Sequence, residues 1–286
     1  MSTGKNEFKQ WIGRTETTCD DLTIAPILAM AAMLDKKNMV YGRGDQLPPL
    51  WHWLFFLNPA RQSTLARDGH PKRGDFLPPI PFPRRMWAGS RFDFHQPLCI
   101  GEKVSRQSTI KSIIFKEGRS GNLAFVCVRH EISGERNLSI SEEHDIVYRG
   151  HTPTDSPPPL PNPAPTNCDF SKNVDPDPVL LFRYSALTFN SHRIHYDRDY
   201  VTQDEGYPGL IVHGPLLATL MIELFGDQYP DKQLTKFEFT AMNPVFDLDP
   251  FQVCGLDANK DNVTKLWVKD HAGSLCMKGS ATTSQQ

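Results

Sequence analysis

The chain has 286 residues, 39% of them hydrophobic and 22% charged, with a net charge of −2. That balance belongs to a globular protein and excludes a disordered one. It also argues against nucleic acid as the main partner, because no basic excess is present to neutralise a phosphate backbone.

The first residues, MSTGKNEFKQWIGRTETT, carry no apolar signal core and no Arg-rich amphipathic pattern, so the expectation is a soluble, cytoplasmic protein. The longest apolar runs, such as 216–225, fall short of the roughly 20 residues that a bilayer requires, so no membrane partner is expected. An apolar stretch follows at 23–42, and a helical candidate, LWHWLFFLN, opens after Pro48-Pro49 and covers 50–58. A proline-rich turn then leads into Arg84, Arg85 and Trp87. From Ser90 the pattern alternates as a strand with Phe-acid-Phe at its heart (SRFDFHQPLCIGE), and further strand-like runs cover 105–118, 123–133 and 142–150. A proline-rich run at 152–167, TPTDSPPPLPNPAPTN, reads as a stiff extended spacer.

Beyond it, LLFRYSALTFN (180–190) reads as a short strand or helix leading into a polar loop with Asn190, His192 and His195. A helix start at His213-Gly214-Pro215 opens an apolar helix with Leu216, Leu217, Leu220, Met221 and Leu224 on one face. Phe-acid-Phe recurs in TKFEFTAMNPVFDLD (235–249), followed by strand-like runs at 250–258, 263–271 and 274–284. The two halves share one order, a helix and then antiparallel strands. They predict an α+β architecture in which each unit wraps an antiparallel sheet around a central helix. The expected division is a first unit at 1–151, a linker at 152–167 and a second unit at 168–286. Two such units form a pseudo-dimer, which leaves room for a homo-oligomer of pseudo-dimers.

The chemistry concentrates in the second unit. His195 is a candidate proton-transfer group, and the Gly214 N–H, at a helix N-terminus, is a candidate oxyanion donor. Asn190 could orient a water or cap a turn, and local sequence does not choose between them. Trp51, Trp53, Phe55 and Trp87 would line a binding wall from the first half. Arg84, Arg85, Arg183, Arg193 and Arg198 are candidates to hold a phosphate or a second carboxylate. No GxGxxG, GxxxxGK[ST] or GxSxG motif occurs, and no third ligand is placed beside His192 and His195 for a metal. The six cysteines form no CxxC pair and fit reduced thiols.

The run ALTFNSHRIHYD…GYPGLIVHGPLLATL resembles the hydratase motif of the MaoC-like, hotdog-fold (R)-specific enoyl-thioester hydratases and dehydratases. There the pattern is roughly D-x-N-P-x-H-x-D, followed by a V-H-G-M/P helix start. With RRMWAGSRFDF upstream, the chain resembles the two-hotdog subgroup, which includes mesaconyl-CoA and itaconyl-CoA hydratases and fungal mitochondrial 3-hydroxyacyl-thioester dehydratases. The resemblance implies a double hotdog whose first unit is catalytically degenerate, FAS1-like, and whose second is catalytic. The family's catalytic histidine falls on His195 and its oxyanion glycine on Gly214. Its aspartate falls on Asn190, a departure. His192, Arg193, His213, Arg84, Arg85 and Trp87 are the expected substrate-binding residues. The implied activity is hydration of an unsaturated acyl-CoA, a short branched dicarboxylyl ester such as itaconyl-CoA or mesaconyl-CoA, in itaconate degradation. The alternatives are dehydration of 3-hydroxyacyl chains on acyl carrier protein or CoA in fatty-acid metabolism, and a non-catalytic thioester-binding module. No metal or redox cofactor is implied, and coenzyme A enters as part of the substrate.

Overall fold

The chain lays down one run of elements twice. The computed structural model describes residues 7–37, 40–72, 74–118, 121–150 and 161–284. The first run is strand β1 (Thr15–Asp21), helix α1 (Ile24–Met33), a 3₁₀ turn at Trp51–Leu54, and strands β2 (Arg84–Phe94), β3 (Lys103–Gly118), β4 (Gly121–Ser133) and β5 (Leu138–Arg149). The second is β6 (Phe170–Val174), α2 (Pro178–Leu187), α3 (Gly214–Gln228), β7 (Leu234–Ala241), β8 (Phe251–Gly255), β9 (Val263–Lys269) and β10 (Leu275–Thr283).

All ten strands join one sheet in the order β1-β3-β4-β5-β2-β7-β10-β9-β8-β6. Each strand of the first half has its counterpart at the mirrored place in the second. This is the expected double hotdog. The seam is β2 against β7, antiparallel, with Phe92 opposite Phe237 and Arg91 opposite Glu238. The two Phe-acid-Phe segments are therefore neighbours across the pseudo-two-fold. The rings of Phe92 and Phe237 stack at 6.0 Å. The period-2 alternation that marked these strands sends Phe92, Phe237 and Phe239 into the core and the acids outward.

Helix α3 is buried almost all round, from Leu216 and Leu217 through Met221 to Phe225, because the second sheet curls around it. Each such side chain contributes about 1.5–3 kcal/mol through burial. The first unit differs from expectation. Only Trp51–Leu54 of the 50–58 candidate is helical, as a single 3₁₀ turn. Leu50 (φ 68°) and Phe56 (φ 55°) adopt left-handed backbone on either side and stop it. Trp51, His52, Leu54, Phe55 and Phe56 are all buried, so the segment has no polar face to pattern a helix. The apolar stretch upstream is the true first-half helix, α1, and it packs against its counterpart α2.

The segment read as strand or helix before Asn190 is α2, capped by Asp177, whose side chain accepts the Leu180 N–H at 2.7 Å. The histidine loop thus follows a helix rather than a strand. Of the proline-rich spacer, 152–160 lies outside the described residues. The rest runs along the β9–β10 turn, where the Asn162 carbonyl accepts from Leu275 N–H at 2.8 Å and Ala164 N–H donates to the Gly273 carbonyl at 2.9 Å.

The halves are also tied through α3. The Trp51 indole N–H donates to Glu223 at 2.9 Å, and Lys36 pairs with Glu223 and with Asp227. Among the described residues, no helix is long and apolar enough to cross a membrane. The six cysteines are unpaired.

Candidate active site

The loop after α2 is closed by its own backbone. Asn190 N–H donates to the Ser185 carbonyl at 2.8 Å, and Asn190 Oδ1 accepts the His192 N–H at 3.0 Å. That is an Asx turn, and it leaves the Asn190 amide nitrogen to donate elsewhere. A 3₁₀ turn at Arg193–His195 follows and buries His195.

His195 Nδ1 lies 2.7 Å from the Ile211 carbonyl. A carbonyl only accepts, so Nδ1 carries the proton and Nε2 keeps a free lone pair. The imidazole stacks on His213, with centroids 3.7 Å apart and planes 19° from parallel. His213 immediately precedes Gly214, the first residue of α3. The stack therefore sets the ring against the amino end of the buried helix. The first N–H groups of a helix have no intrahelical acceptor, and the helix dipole adds positive potential there. A Cβ on Gly214 would meet nothing within 4 Å. No neighbouring side chain crowds Gly214 on that side.

Burial pushes the His195 imidazole down to about 4, outweighing the Ile211 carbonyl, which favours the charged form. His195 is thus neutral at pH 7, with Nε2 able to accept a proton. His213 is fully buried and held well below its ordinary value by burial and by the neighbouring imidazoles, with Nε2 2.8 Å from Ser185 Oγ. It buttresses His195 from beneath and does not reach open space, contrary to its expected place at the substrate. His192 meets His195 edge-on at 5.5 Å. Burial drives it down to about 2, helped by His70, His195 and Arg85 and opposed by Asp68.

Sequence reasoning gave the chemistry to the second half alone. The structure brings a loop of the first half into the site. Arg193 N–H donates to the Asp68 carbonyl at 2.9 Å, and Ser191 Oγ donates to the Gly69 carbonyl at 2.6 Å. Gly69 has φ 89°, and a Cβ there would run into the Ser191 carbonyl, so this docking requires glycine. The contact delivers His70, whose ring lies 4.1 Å from that of His192. His70 Nδ1 lies 3.1 Å from Asp68 Oδ2. Burial raises the Asp68 carboxyl, but the hydrogen bonds from the His70 ring and N–H outweigh it and hold the group well below the usual carboxylate range. Asp68, His70 and His192 each offer one ligand atom within 4.8 Å of the others, the set among the described residues that could hold a metal ion. The available signal was the Asp68-Gly69-His70 turn, an Asp-Gly punctuation followed by a titratable ring.

The remaining expected residues divide. Arg193 is spent within the loop. Its Nε and Nη2 donate to Asp197 at 2.9 and 2.8 Å, Nη1 donates to the Arg67 carbonyl at 3.2 Å, and the guanidinium covers Tyr200. It positions the loop and has no free fork for substrate. Arg84 is exposed, 3.8 Å from Glu205. Trp87 packs against His144, Trp53 and Phe239, and its N–H donates to Gly89 O and Ser90 Oγ. Trp51 and Phe55, expected in a binding wall, belong to the core. Arg85 lines a cavity of about 670 Å³ together with Arg67, Asp68, His70, Lys72 and Tyr200.

The model of the hydroxyacyl-thioester dehydratase type 2 family matches residues 50–247, which spans both halves of this geometry. The chain belongs to that family. It is 50% identical over 248 residues to the mesaconyl-C(4)-CoA hydratase of Chloroflexus aurantiacus, covering 86% of this chain and 88% of the relative. It is 31% identical to the mitochondrial hydroxyacyl-thioester dehydratase type 2 of Schizosaccharomyces pombe, covering 82% and 88%. A MaoC-like dehydratase from Phytophthora capsici superposes with a TM-score of 0.72 over 96% of this chain and 97% of that one, at 13% identity, and so shares the fold. As a hydroxyacyl-thioester dehydratase type 2 family member, the chain is an enzyme, a hydro-lyase of acyl thioesters.

Proposed function

We propose that the chain adds water to a short branched dicarboxylyl-CoA ester, mesaconyl-CoA or itaconyl-CoA. The observation that carries the chemistry is His195, its Nδ1 proton fixed on Ile211 and its ring stacked on His213 at the tip of α3. The half-identity with a mesaconyl-C(4)-CoA hydratase supports the substrate class.

The thioester oxygen faces the Gly214 N–H. The Asn190 amide steers a water onto the β-carbon. His195 Nε2 takes one proton from that water as its oxygen bonds to the β-carbon. The electron pair of the double bond moves onto the thioester, and the Gly214 N–H and the helix dipole stabilise the enolate-like oxygen. His195 then returns the proton to the α-carbon, so one water has been added and the ring is neutral again. Coenzyme A comes and goes with the acyl group, and its phosphates meet the exposed Arg67 and Lys72 at the cavity rim. In this scheme the proton moves without a metal or redox cofactor.

Dehydration of 3-hydroxyacyl thioesters is the second reading, supported by the S. pombe relative. A substrate panel separates the two. Wild-type enzyme is expected to hydrate mesaconyl-C4-CoA and itaconyl-CoA with higher kcat/KM than crotonyl-CoA or long-chain enoyl-CoA, with mass spectrometry reading the gain of one water. A preference for long chains would move the assignment to the second reading. Binding of every ester without turnover would reduce the chain to a thioester-binding module.

A further inference from the structure

We propose that Arg85 is the specificity-determining residue of this site and binds the free carboxylate of a dicarboxylyl acyl group. The inference rests on the hydratase reading above and names the group that selects its substrate.

Four other arginines near the site face acids. Arg67 pairs with Asp204, Arg84 faces Glu205, Arg193 pairs with Asp197, and Arg198 pairs with Asp247. Among the described residues, Arg85 has no carboxylate at ion-pair distance. It is half-buried on β2 and lines the cavity beside Asp68 and His70. A guanidinium on a cavity wall with no acid at ion-pair distance offers a planar fork that matches a carboxylate.

Its position is also the right one. The strand neighbour of Arg85, Tyr148 on β5, is buried in the first unit's core. Arg85 shares the cavity wall with His70, whose ring lies 4.1 Å from that of His192 on the catalytic loop. Two residues along the strand, and so on the same face, Trp87 stacks on His144 at 4.0 Å. A short dicarboxylyl chain carries its free carboxylate within a few bonds of the carbons that react. An anion-binding group adjacent to the histidine cluster is within reach of it, whereas the neutral end of a simple enoyl chain offers Arg85 nothing.

An anionic partner for Arg85 has two sources in an acyl-CoA, the acyl carboxylate and the CoA phosphates. Mesaconyl-C4-CoA and crotonyl-CoA share the second and differ in the first. The experiment measures kcat/KM for both esters on the same preparations of wild type, R85Q and R85K. The ratio of the two values is independent of the folded fraction. The expected result is a fall in the mesaconyl-to-crotonyl ratio by about 100-fold in R85Q, since a site built to bond a polar group rejects its loss strongly. R85K, which keeps the charge and loses the fork, falls by less. An unchanged ratio in R85Q, with both esters weakened together, would assign Arg85 to the phosphates or to folding and overturn the proposal while leaving the hydratase reading intact. Wild type that hydrates crotonyl-CoA but not mesaconyl-C4-CoA would overturn both.

Discussion

Replacing His195 with alanine is expected to lower kcat/KM for enoyl-CoA hydration by about 10³-fold, within the range that a positioned general acid–base supplies. In the proposed mechanism one ring performs both proton transfers. Nδ1 is held by Ile211 at 2.7 Å, so Nε2 is the sole nitrogen of that ring able to take the proton from water and return it to carbon. The neighbouring imidazoles do not substitute. His213 lies beneath the ring with Nε2 at Ser185 Oγ, and burial holds His192 further below its ordinary value than His195. The variant also leaves the Ile211 carbonyl without its partner, at a cost of about 1–3 kcal/mol. Activity is therefore compared well below the Tm of the variant. Turnover within a few-fold of wild type would remove His195 from the mechanism.

Acid is expected to unfold the protein well before the carboxylates titrate. His130 is held down to about 3, His144 to about 4, His192 to about 2 and His195 to about 4, with burial the main cause in each case, and His213 is held well below its ordinary value. In the unfolded chain these rings titrate near 6.5. Below that pH the unfolded state binds protons that the folded state refuses, so the stability present above about 6.5 is lost as pH falls. At pH 5 each ring kept neutral costs about 2 kcal/mol. Two or three of the five are enough to consume much of the roughly 5–15 kcal/mol that holds a typical domain.

The buried Glu142 works in a lower window. Burial raises its carboxyl, but His52 and the neighbouring histidines outweigh that and hold it at about 2. Its stabilisation is present above the unfolded carboxylate value and is lost only as pH falls toward 2. Thermal melts from pH 8 to pH 5 should show Tm falling steeply below about 6.5. A flat Tm down to pH 5 would show that these rings are not kept neutral by the fold.

What could be read from the sequence, and what could not, follows from the range of the interactions. The Phe-acid-Phe strands declared themselves through period-2 alternation, and their repetition anticipated two like units, whereas their pairing with each other as the β2–β7 seam is a long-range contact that the pattern did not give. Gly214-Pro215 marked the start of α3 because helix entry is a local signal. The stretch at 50–58 misled because it is apolar on every side, so periodicity could not show that left-handed Leu50 and Phe56 reduce it to one turn. His70 escaped notice for a different reason. It reaches the site through contacts such as Ser191 with Gly69, 122 residues apart, and no spacing rule spans that distance. The fork of Arg193 looked available because its partners, Asp197 and the Arg67 carbonyl, become neighbours only when the loop closes.

In the proposed mechanism His195 and the amino end of α3 act as one device on one substrate. A double-mutant cycle tests it directly, with His195→Ala, Gly214→Pro and the double variant assayed for hydration of mesaconyl-C4-CoA. Proline is tolerated at the first helical position and a Cβ on Gly214 meets nothing within 4 Å, so the substitution is chosen to delete the N–H donor, with a thermal melt of the variant checking that the fold is kept. Alone it should cost about 10²–10³-fold in kcat. In combination, the expected result is a double variant barely worse than His195→Ala, because groups that serve one transition state fail together. Losses that multiply, as for two independent sites, would contradict it.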